Sequence, residues 1–301
     1  MVLSSQTLIV SGTGHCPIPW VIVRIDLHTH SRVSDGTQTP AELVAEARRA
    51  GLDVLALTDH DTTAGWAEAA AAARSEGVAL VRGTEVSCTA SGISVHLLSY
   101  LHDPHDAALA ELLTRSRTSR DGRARAMVDR LAVDFDVTWA EVAAQAGAGA
   151  TIGRPHIADV LVARGYAADR AGAFATMLAP TGPYYVRYHA PEVAEAVGLV
   201  LAAGGVPVFA HPRASSRGRV VSEQVIRDLA DAGLVGLEVD HRDHTEADKA
   251  WLRDLAAELG LLVTGSSDYH GAGKPNRLGE HTTTPEVLAE IADRGRIEVV
   301  R

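Results

Sequence analysis

The chain has 301 residues, of which 46% are hydrophobic and 22% are charged. This balance is typical of a folded globular protein and excludes a disordered, collagen-like or membrane-spanning chain. The formal net charge of -10 argues against a surface that follows a long nucleic acid, because such surfaces carry many lysines and arginines. A small anionic substrate in a locally cationic pocket remains compatible with this charge.

The cysteines and the first 20 residues bear on cellular location. Cys16 and Cys88 are too few for a disulfide framework and too far apart for a paired zinc motif. We therefore expect a cytoplasmic protein with no membrane association. Residues 1–20 lack the basic and long apolar segments of a signal peptide, so we interpret them as an N-terminal extension before a first strand near Val21. Whether this extension belongs to the native protein stays open.

Short apolar runs alternate with helical patterns over residues 21–102 and again over 192–301. This alternation predicts βαβ units and parallel strands. We count seven strands, one fewer than in a TIM barrel, and predict an α/β fold with a distorted seven-stranded (β/α)7 barrel. An open doubly wound sheet is the alternative. Residues 103–191 show helical spacing without a convincing strand, which predicts a helical insertion domain.

Six of the seven predicted strands end in histidines or carboxylates. Barrels place functional groups at the carboxyl ends of their strands, so we expect these side chains to converge. The residues are Asp26, His28 and His30 on the first strand, Asp59 and His60 on the second, then Glu85, His96, His211, and finally Asp268 with His270.

A buried histidine taken alone is as often a core residue as a ligand. The joint pattern is different, because many buried charges without compensating cations would be very costly. Mixed imidazole and carboxylate ligands suit manganese, zinc or iron. One ion could not use them all, so the pattern predicts several divalent metal ions.

These residues resemble the PHP family, named for polymerase and histidinol phosphatase. The resemblance rests on DLHTHS at 26–31, LTDHD at 57–61, GTEVS at 83–87, VHLLSY at 95–100, AHP at 210–212 and GSSDYHG at 265–271. The six motifs follow the order of the family and span most of the chain from Arg24 onward. Within the family, the chain is similar to stand-alone phosphoesterases with a helical insertion, which include nucleoside 3',5'-bisphosphate phosphatases and 5'-to-3' oligoribonucleases.

The resemblance implies two to three metal ions (Mn, Zn or Fe). It assigns the first ion to His28, His30, Glu85 and Asp268, the second to Glu85, His96 and His211, and the third to Asp35, His60 and His270. Asp35 precedes Gly36, so a simple turn is the alternative for it.

The resemblance also implies that Arg154 and His156, in GRPHIA, face the active site from the insertion and contact the phosphate. An Arg fork suits phosphate, and His can bind it or donate a proton. Alternatively, Pro155 marks only the start of a helix. Arg213, Lys274 and Arg277 are weaker candidates for phosphate binding, and His241 could line the pocket.

The remaining histidines are predicted at the surface, since they sit in polar loops. They are His102, His105, His189, His244 and His281.

The clustered ligands predict a metal-dependent phosphoesterase, and the resemblance implies a small phosphomonoester such as a nucleoside 3',5'-bisphosphate as its substrate, with short oligoribonucleotides also possible. A metal-bridging hydroxide would attack phosphorus, oriented by Asp268, and His211, His156 or metal-bound water could protonate the leaving group. Histidinol-phosphate phosphatase and a non-catalytic metal-binding module are the alternatives. No P-loop and no GxSxG motif is present. The sequence does not define the oligomeric state.

Overall fold

Seven strands pair in chain order and form a nearly closed barrel in the computed structural model, which describes residues 23–146, 150–187 and 189–301. A bridge between Thr29 and Tyr269 joins the segment after the first strand to the segment after the last. The prediction of a distorted seven-stranded barrel is confirmed. The strands are β1 (Ile25–Asp26), β2 (Val54–Leu57), β3 (Ala79–Ala90), β4 (Ile93–Tyr100), β5 (Val206–Ala210), β6 (Gly236–Asp240) and β7 (Leu262–Gly265).

The strand β4 runs against its neighbours, so the prediction of parallel strands is wrong there. All other pairs of neighbouring strands are parallel. Only Ser91 and Gly92, both with positive φ, separate β3 from β4, and this connection is too short for a parallel crossover. His96 therefore lies within β4 and not at its carboxyl end. It pairs there with Ser87 of β3.

The first strand is shorter than its sequence indicates. It ends at Asp26, and His28 and His30 lie on the segment that follows it. The backbone N–H of His30 donates to the Tyr269 carbonyl, and Thr29 accepts from the N–H of Thr58. The proposed extension, residues 1–20, lies outside the described residues.

Ten helices surround the barrel or form the insertion in the described parts of the chain. They are α1 (Pro40–Arg49), α2 (Trp66–Glu76), α3 (Ala107–Leu131), α4 (Trp139–Gln145), α5 (Arg154–Ala163), α6 (Arg170–Ala175), α7 (Val193–Ala202), α8 (Glu223–Asp231), α9 (Glu246–Leu259) and α10 (Pro285–Arg294). Helix α1 shows why these segments are helical. Thr39 and Glu42 form a reciprocal capping box, and Pro40 occupies the first turn.

The insertion has a core of its own. Met127 and Leu131 of α3 pack with Ile157 and Leu161 of α5 in a cluster separate from those of the barrel. The amino-terminal part of α3 instead packs Leu109 onto a cluster that includes barrel residues. Within residues 103–191, the described parts contain four helices and no strand. The domain boundaries at 103 and 191 stay a prediction.

No helix in the described residues is both long and apolar enough to cross a membrane.

Candidate metal centre

The predicted metal ligands gather at one end of the barrel. Most of them are buried, and the side chains of His96 and His211 keep 22% and 9% of their surface exposed. The parallel strands deliver their carboxyl ends to this pole, and the reversed strand β4 brings His96 to it. The residues that meet here are His28, His30, Asp35, His60, Glu85, His96, His211, Asp268 and His270.

Glu85 lies at the centre of this pole, with five imidazoles around its carboxylate. Such crowding of nitrogen lone pairs and carboxylate oxygens is typical of a site built for cations. The Oε1 atom lies 2.8 Å from His96 Nδ1 and 3.1 Å from His211 Nε2. The Oε2 atom lies 3.2 Å from His28 Nε2, 3.0 Å from His30 Nε2 and 3.3 Å from His60 Nδ1.

The side chains form three overlapping groups whose candidate ligand atoms lie within 4.8 Å of one another: His28, His30, Glu85 and Asp268; His30, Asp35, His60 and His270; and His60, Glu85 and His96. The first group is the set that the resemblance assigns to the first ion. The second adds His30 to the set assigned to the third ion. In the remaining group His60 takes the place expected for His211, although His211 contacts Glu85 directly.

The orientation of two imidazoles is fixed from behind. His28 Nδ1 lies 2.9 Å from Glu238 Oε1, so the ring donates there and directs the Nε2 lone pair towards Glu85 and Asp268. His270 Nδ1 donates to the carbonyl of Asp268 at 2.8 Å, which directs Nε2 towards Asp35. Histidines that ligate metals are commonly held in this way, with the second nitrogen hydrogen-bonded to a carboxylate or carbonyl.

Three buried imidazole nitrogens at the pole have no hydrogen-bond partner among the residues that the structure describes. They are His60 Nδ1, His96 Nδ1 and His270 Nε2, and all three face a carboxylate of Glu85 or Asp35. An unpaired buried polar atom is costly, whereas a cation between the nitrogen and the carboxylate would satisfy both. The donor set therefore fits divalent metal ions.

The imidazoles at the pole fall into two groups. Burial alone would lower the pKa of His28 and His30, but the neighbouring carboxylates raise both, that of His30 to about 9. Burial, with Arg217 nearby, lowers the pKa of His211 to about 3, and burial, with Lys274 nearby, lowers the pKa of His270 to about 4. Burial alone would raise the pKa of Glu85, but the surrounding imidazoles hold it well below its usual range. Neutral imidazoles and ionised carboxylates are the forms that bind metals.

Asp268 uses its two oxygens differently. Its Oδ1 faces the imidazoles of His28 and His30, at 3.6 and 3.4 Å. Its Oδ2 accepts from Arg217 Nη2 at 2.6 Å and from Lys274 Nζ at 3.0 Å. The residue has a φ of 51°, a left-handed conformation that costs energy outside glycine and is common at functional sites.

Two residues of this arrangement were missed from the sequence, Glu238 and Arg217. Glu238 is fully buried on β6, and its Oε2 also accepts from the N–H of His211 at 2.8 Å. An acid inside the apolar run VGLEVDH was the signal that could have identified it. Arg217 is the last residue of the 3₁₀ turn Ser215–Arg217, in a polar loop where the sequence gives no distinguishing signal.

Asp26 and Asp59 share the strand ends but belong to none of the three groups. Asp26 accepts from the N–H groups of Ser267 and Gly279, and its burial raises its pKa to about 6. Asp59 accepts from both the N–H and the hydroxyl of Ser31. These two aspartates position the backbone around the site.

Asp35 lies in a turn and also reaches the site. Its Oδ1 is 3.2 Å from His270 Nε2, and its Oδ2 is 3.7 Å from His60 Nε2. The next residue, Gly36, must lack a side chain, because a Cβ there would lie 2.3 Å from the carbonyl oxygen of His30. The turn and the contact with imidazoles therefore coexist.

The two insertion residues predicted to bind phosphate, His156 and Arg154, differ in their surroundings. His156 is buried beside the pole, with Asp35 among the charges that influence its pKa, and burial lowers that pKa. Its Nδ1 accepts from the N–H of Gly153, so the neutral ring carries its proton on Nε2. Arg154 donates to the Leu178 carbonyl and lies over the ring of Phe174, both within the insertion.

The three weaker candidates for phosphate binding also differ in their contacts. Lys274 reaches the pole through Asp268. Arg213 forms an ion pair with Asp248 and packs on Trp251. Arg277 is 82% exposed and pairs weakly with Glu280.

His241 is fully buried, with Nε2 3.6 Å from Asp268 Oδ2. The prediction of surface positions is wrong for His102 and His244. His102 lies under Trp66 and hydrogen-bonds Ser99 Oγ, and His244 donates to the carbonyl of Val239. A position in a polar loop did not indicate that both rings are buried and hydrogen-bonded inside the protein.

The insertion contacts the backbone of two candidate ligands and one side chain near Glu85. Thr151 Oγ1 donates to the carbonyl of His60 at 2.9 Å, and Arg170 Nη1 donates to the carbonyl of Asp35 at 3.2 Å. Arg120 of α3 donates to Ser87 Oγ at 2.6 Å. The insertion and the barrel therefore build the rim of the site together.

Comparison with known proteins agrees with this geometry. The PHP domain model matches residues 26–153. A 3',5'-nucleoside bisphosphate phosphatase of Chromobacterium violaceum is 37% identical over 87% of this chain and 92% of its own length. A 5'-3' exoribonuclease of Haemophilus influenzae is 32% identical over 82% of this chain and 90% of its own length.

A solved structure from Bifidobacterium adolescentis, described as a metal-dependent phosphoesterase, matches with a TM-score of 0.88 and 43% identity. The match covers 90% of this chain and 96% of that one. The identity, the coverage and the shared fold all agree with the six sequence motifs and with the buried cluster around Glu85. The chain therefore belongs to the PHP family of metal-dependent phosphoesterases.

Proposed function

We propose that this protein hydrolyses a phosphomonoester of a small metabolite, with a nucleoside 3',5'-bisphosphate as its substrate. The observation that carries the proposal is the buried carboxylate of Glu85 with five imidazole nitrogens within 3.3 Å. We assign two to three divalent ions (Mn, Zn or Fe) to the nine residues at the pole. When bound, such ions polarise phosphoryl oxygens and lower the pKa of water, so that it attacks phosphorus at neutral pH.

The protein's own residues orient the reacting groups. Arg217 and Lys274 hold Oδ2 of Asp268, so that Oδ1 keeps a fixed direction towards the imidazoles. Such preorganisation stabilises charge that develops in the transition state, because the groups need not reorient during the reaction. We assign to Asp268 the task of orienting the nucleophile.

His156 is the side chain that we favour for donating a proton to the leaving alkoxide. Its neutral tautomer carries an Nε2–H, because Nδ1 accepts from Gly153. His211 is the other candidate, but its Nε2 faces Glu85 as a ligand would. We assign phosphate binding to Arg154 and His156, with Lys274 and Arg213 in lesser roles.

The substrate assignment rests on charge and on likeness. The net charge of -10 disfavours long nucleic acid. The Chromobacterium relative is named for nucleoside 3',5'-bisphosphates, and the Haemophilus relative for 5'-3' exoribonuclease activity. Short oligoribonucleotides are therefore the second candidate substrate. We also propose a cytoplasmic location, in keeping with the free thiol of Cys88.

The test is a phosphate-release screen with Mn²⁺-loaded protein on nucleoside 3',5'-bisphosphates, short RNA and histidinol phosphate. We expect the fastest release from the bisphosphate and loss of release after chelation. His30→Ala should abolish turnover, because His30 belongs to two of the three groups, whereas His105→Ala, at an exposed loop position, is the matched control. Preferential release from histidinol phosphate, or turnover that survives chelation, would overturn the proposal.

A further inference from the structure

A cavity of about 360 Å³ lies between the insertion and the barrel. Its volume falls within the range of roughly 300–1,000 Å³ that is common for ligand sites. Polar side chains line most of it: Arg32 and Thr37 from the loop after β1, and Gln145, His156, Asp159 and Arg170 from the insertion.

The cavity adjoins the group formed by His30, Asp35, His60 and His270. Gly36 and Thr37, which follow Asp35 in the chain, form part of its wall. Arg170, which also lines the cavity, donates to the carbonyl of Asp35. A ligand whose one end reaches the metal centre can therefore extend its other end into this space.

The two arginines of the wall differ in their charge balance. Arg170 makes a two-pronged ion pair with Asp159, at 2.6 and 2.7 Å, so its charge is compensated and its position is fixed. Arg32 donates to the Thr37 carbonyl at 3.0 Å and makes no salt bridge with any residue in the described part of the chain. Because a guanidinium has five N–H donors, Arg32 keeps donors for an incoming anion.

We infer that this cavity holds the leaving nucleoside of the substrate, and that Arg32 binds the second phosphate, the one that is not hydrolysed. The inference rests on the proposed function and assigns a specificity-determining residue to it. The 3'-phosphate occupies the metal centre and is hydrolysed, the nucleoside lies against the polar wall, and the uncompensated guanidinium meets the 5'-phosphate, so that the product is a nucleoside 5'-monophosphate. Arg32 thereby favours a bisphosphate over a nucleoside with a single 3'-phosphate.

The experiment compares Arg32→Gln, Arg32→Lys and the wild type on a nucleoside 3',5'-bisphosphate and on the matching 3'-monophosphate. Arg49→Gln is the matched control, since Arg49 is an exposed arginine on the neighbouring helix α1. We expect the ratio of the two kcat/KM values to fall about ten- to hundredfold in Arg32→Gln, the loss typical of one charge-assisted contact. Arg32→Lys should restore part of that ratio, because the charge remains.

Calorimetric binding of a nucleoside 5'-monophosphate, the expected product, gives a second measurement that needs no turnover. Its affinity should fall in Arg32→Gln and stay at the wild-type value in Arg49→Gln. An active Arg32→Gln variant with an unchanged ratio and unchanged product affinity would overturn the cavity assignment and leave the proposed function standing. A wild type that releases phosphate from neither nucleotide and binds no 5'-monophosphate would overturn both.

Discussion

The two sides of the metal centre are supported by different parts of the molecule. The Glu85 half, defined as His28, Glu85 and Asp268, is held by barrel residues such as Glu238. The Oε1 atom of Glu238 lies 2.9 Å from Nδ1 of His28 and orients that ring. The Asp35 half, defined as Asp35, His60 and His270, also receives hydrogen bonds from the insertion. Thr151 and Arg170 donate to the backbone carbonyls of His60 and Asp35. His30 lies between the two halves.

This difference separates a rigid half from a half that depends on a second domain. Glu85 lies on β3, and Glu238, which orients His28, lies on β6, so the geometry of this half is supported within the barrel. Loop residues whose carbonyls are contacted by the insertion respond to how the insertion sits. We therefore expect mutations in the barrel to affect both halves, and mutations in the insertion to affect mainly the Asp35 half.

The largest expected effect comes from Glu85→Gln. The change removes the carboxylate shared by five imidazoles, so the turnover should fall by more than about a thousandfold, a loss typical of removing a shared metal ligand. Turnover and bound metal, the latter by emission spectroscopy, provide the measurement. Glu76→Gln, at an exposed position at the end of α2, should behave as wild type. Normal metal content in Glu85→Gln would contradict a central role for this carboxylate.

At acid pH, protonation of the metal ligands has to be distinguished from protonation of His102, a buried histidine that belongs to neither half of the metal centre. Burial lowers the pKa of His102 to about 4 in the folded protein, against about 6.5 in the unfolded chain. As the pH falls below 6.5 the unfolded chain takes up the proton first, so stability is full above pH 6.5 and is lost towards pH 4. The loss amounts to about 3 kcal/mol.

The measurement is the free energy of unfolding of metal-free wild type and His102→Gln between pH 7 and pH 4. The wild-type curve should fall more steeply than that of the variant over this interval. Parallel curves would show that His102 is not the buried neutral group that its contacts with Ser99 and Trp66 indicate.

Glu238→Gln should produce an intermediate effect. The variant keeps the size of the side chain but weakens the hydrogen bond that orients His28, so metal affinity should fall about ten- to hundredfold. Competition with a chelator measures that affinity. A larger loss of metal affinity in the Asp35 half than in the Glu85 half would contradict the division of the site into a half supported by the barrel and a half supported by the insertion.

The smallest expected effect comes from Thr151→Val, which removes the hydroxyl that donates to the His60 carbonyl. One hydrogen bond of this kind contributes about 1 kcal/mol, so metal affinity in the Asp35 half should fall about fivefold. Thr118→Val is the matched control, because the Thr118 hydroxyl also donates to a carbonyl but lies exposed on α3. Equal effects of the two changes on metal affinity would show that the insertion does not support this half.

Much of the barrel and of its pole could be predicted from local patterns. Alternating strands and helices predicted the seven strands, and His or acid residues at strand ends predicted which side chains meet. These signals are local, because each strand end carries its own residue and the barrel topology alone brings them together.

The reversal of β4 follows from the tight turn at Ser91 and Gly92, a local turn signal that the prediction of parallel strands overlooked. The rest depended on contacts that a local pattern does not encode. The role of Arg217 depends on a loop that folds back onto Asp268. His102 and His244 are buried because distant elements cover their loops. The division between insertion and barrel at residues 103 and 191 stays a prediction.

Anomalous diffraction from crystals of the protein grown with Mn²⁺ is the most direct test of a shared metal centre. We expect at least two anomalous peaks at the pole, one between His28, His30, Glu85 and Asp268 and another beside Asp35 and His270. An occupied crystal with no peak within coordination distance of Glu85, or with Mn²⁺ bound only at surface carboxylates, would contradict this expectation.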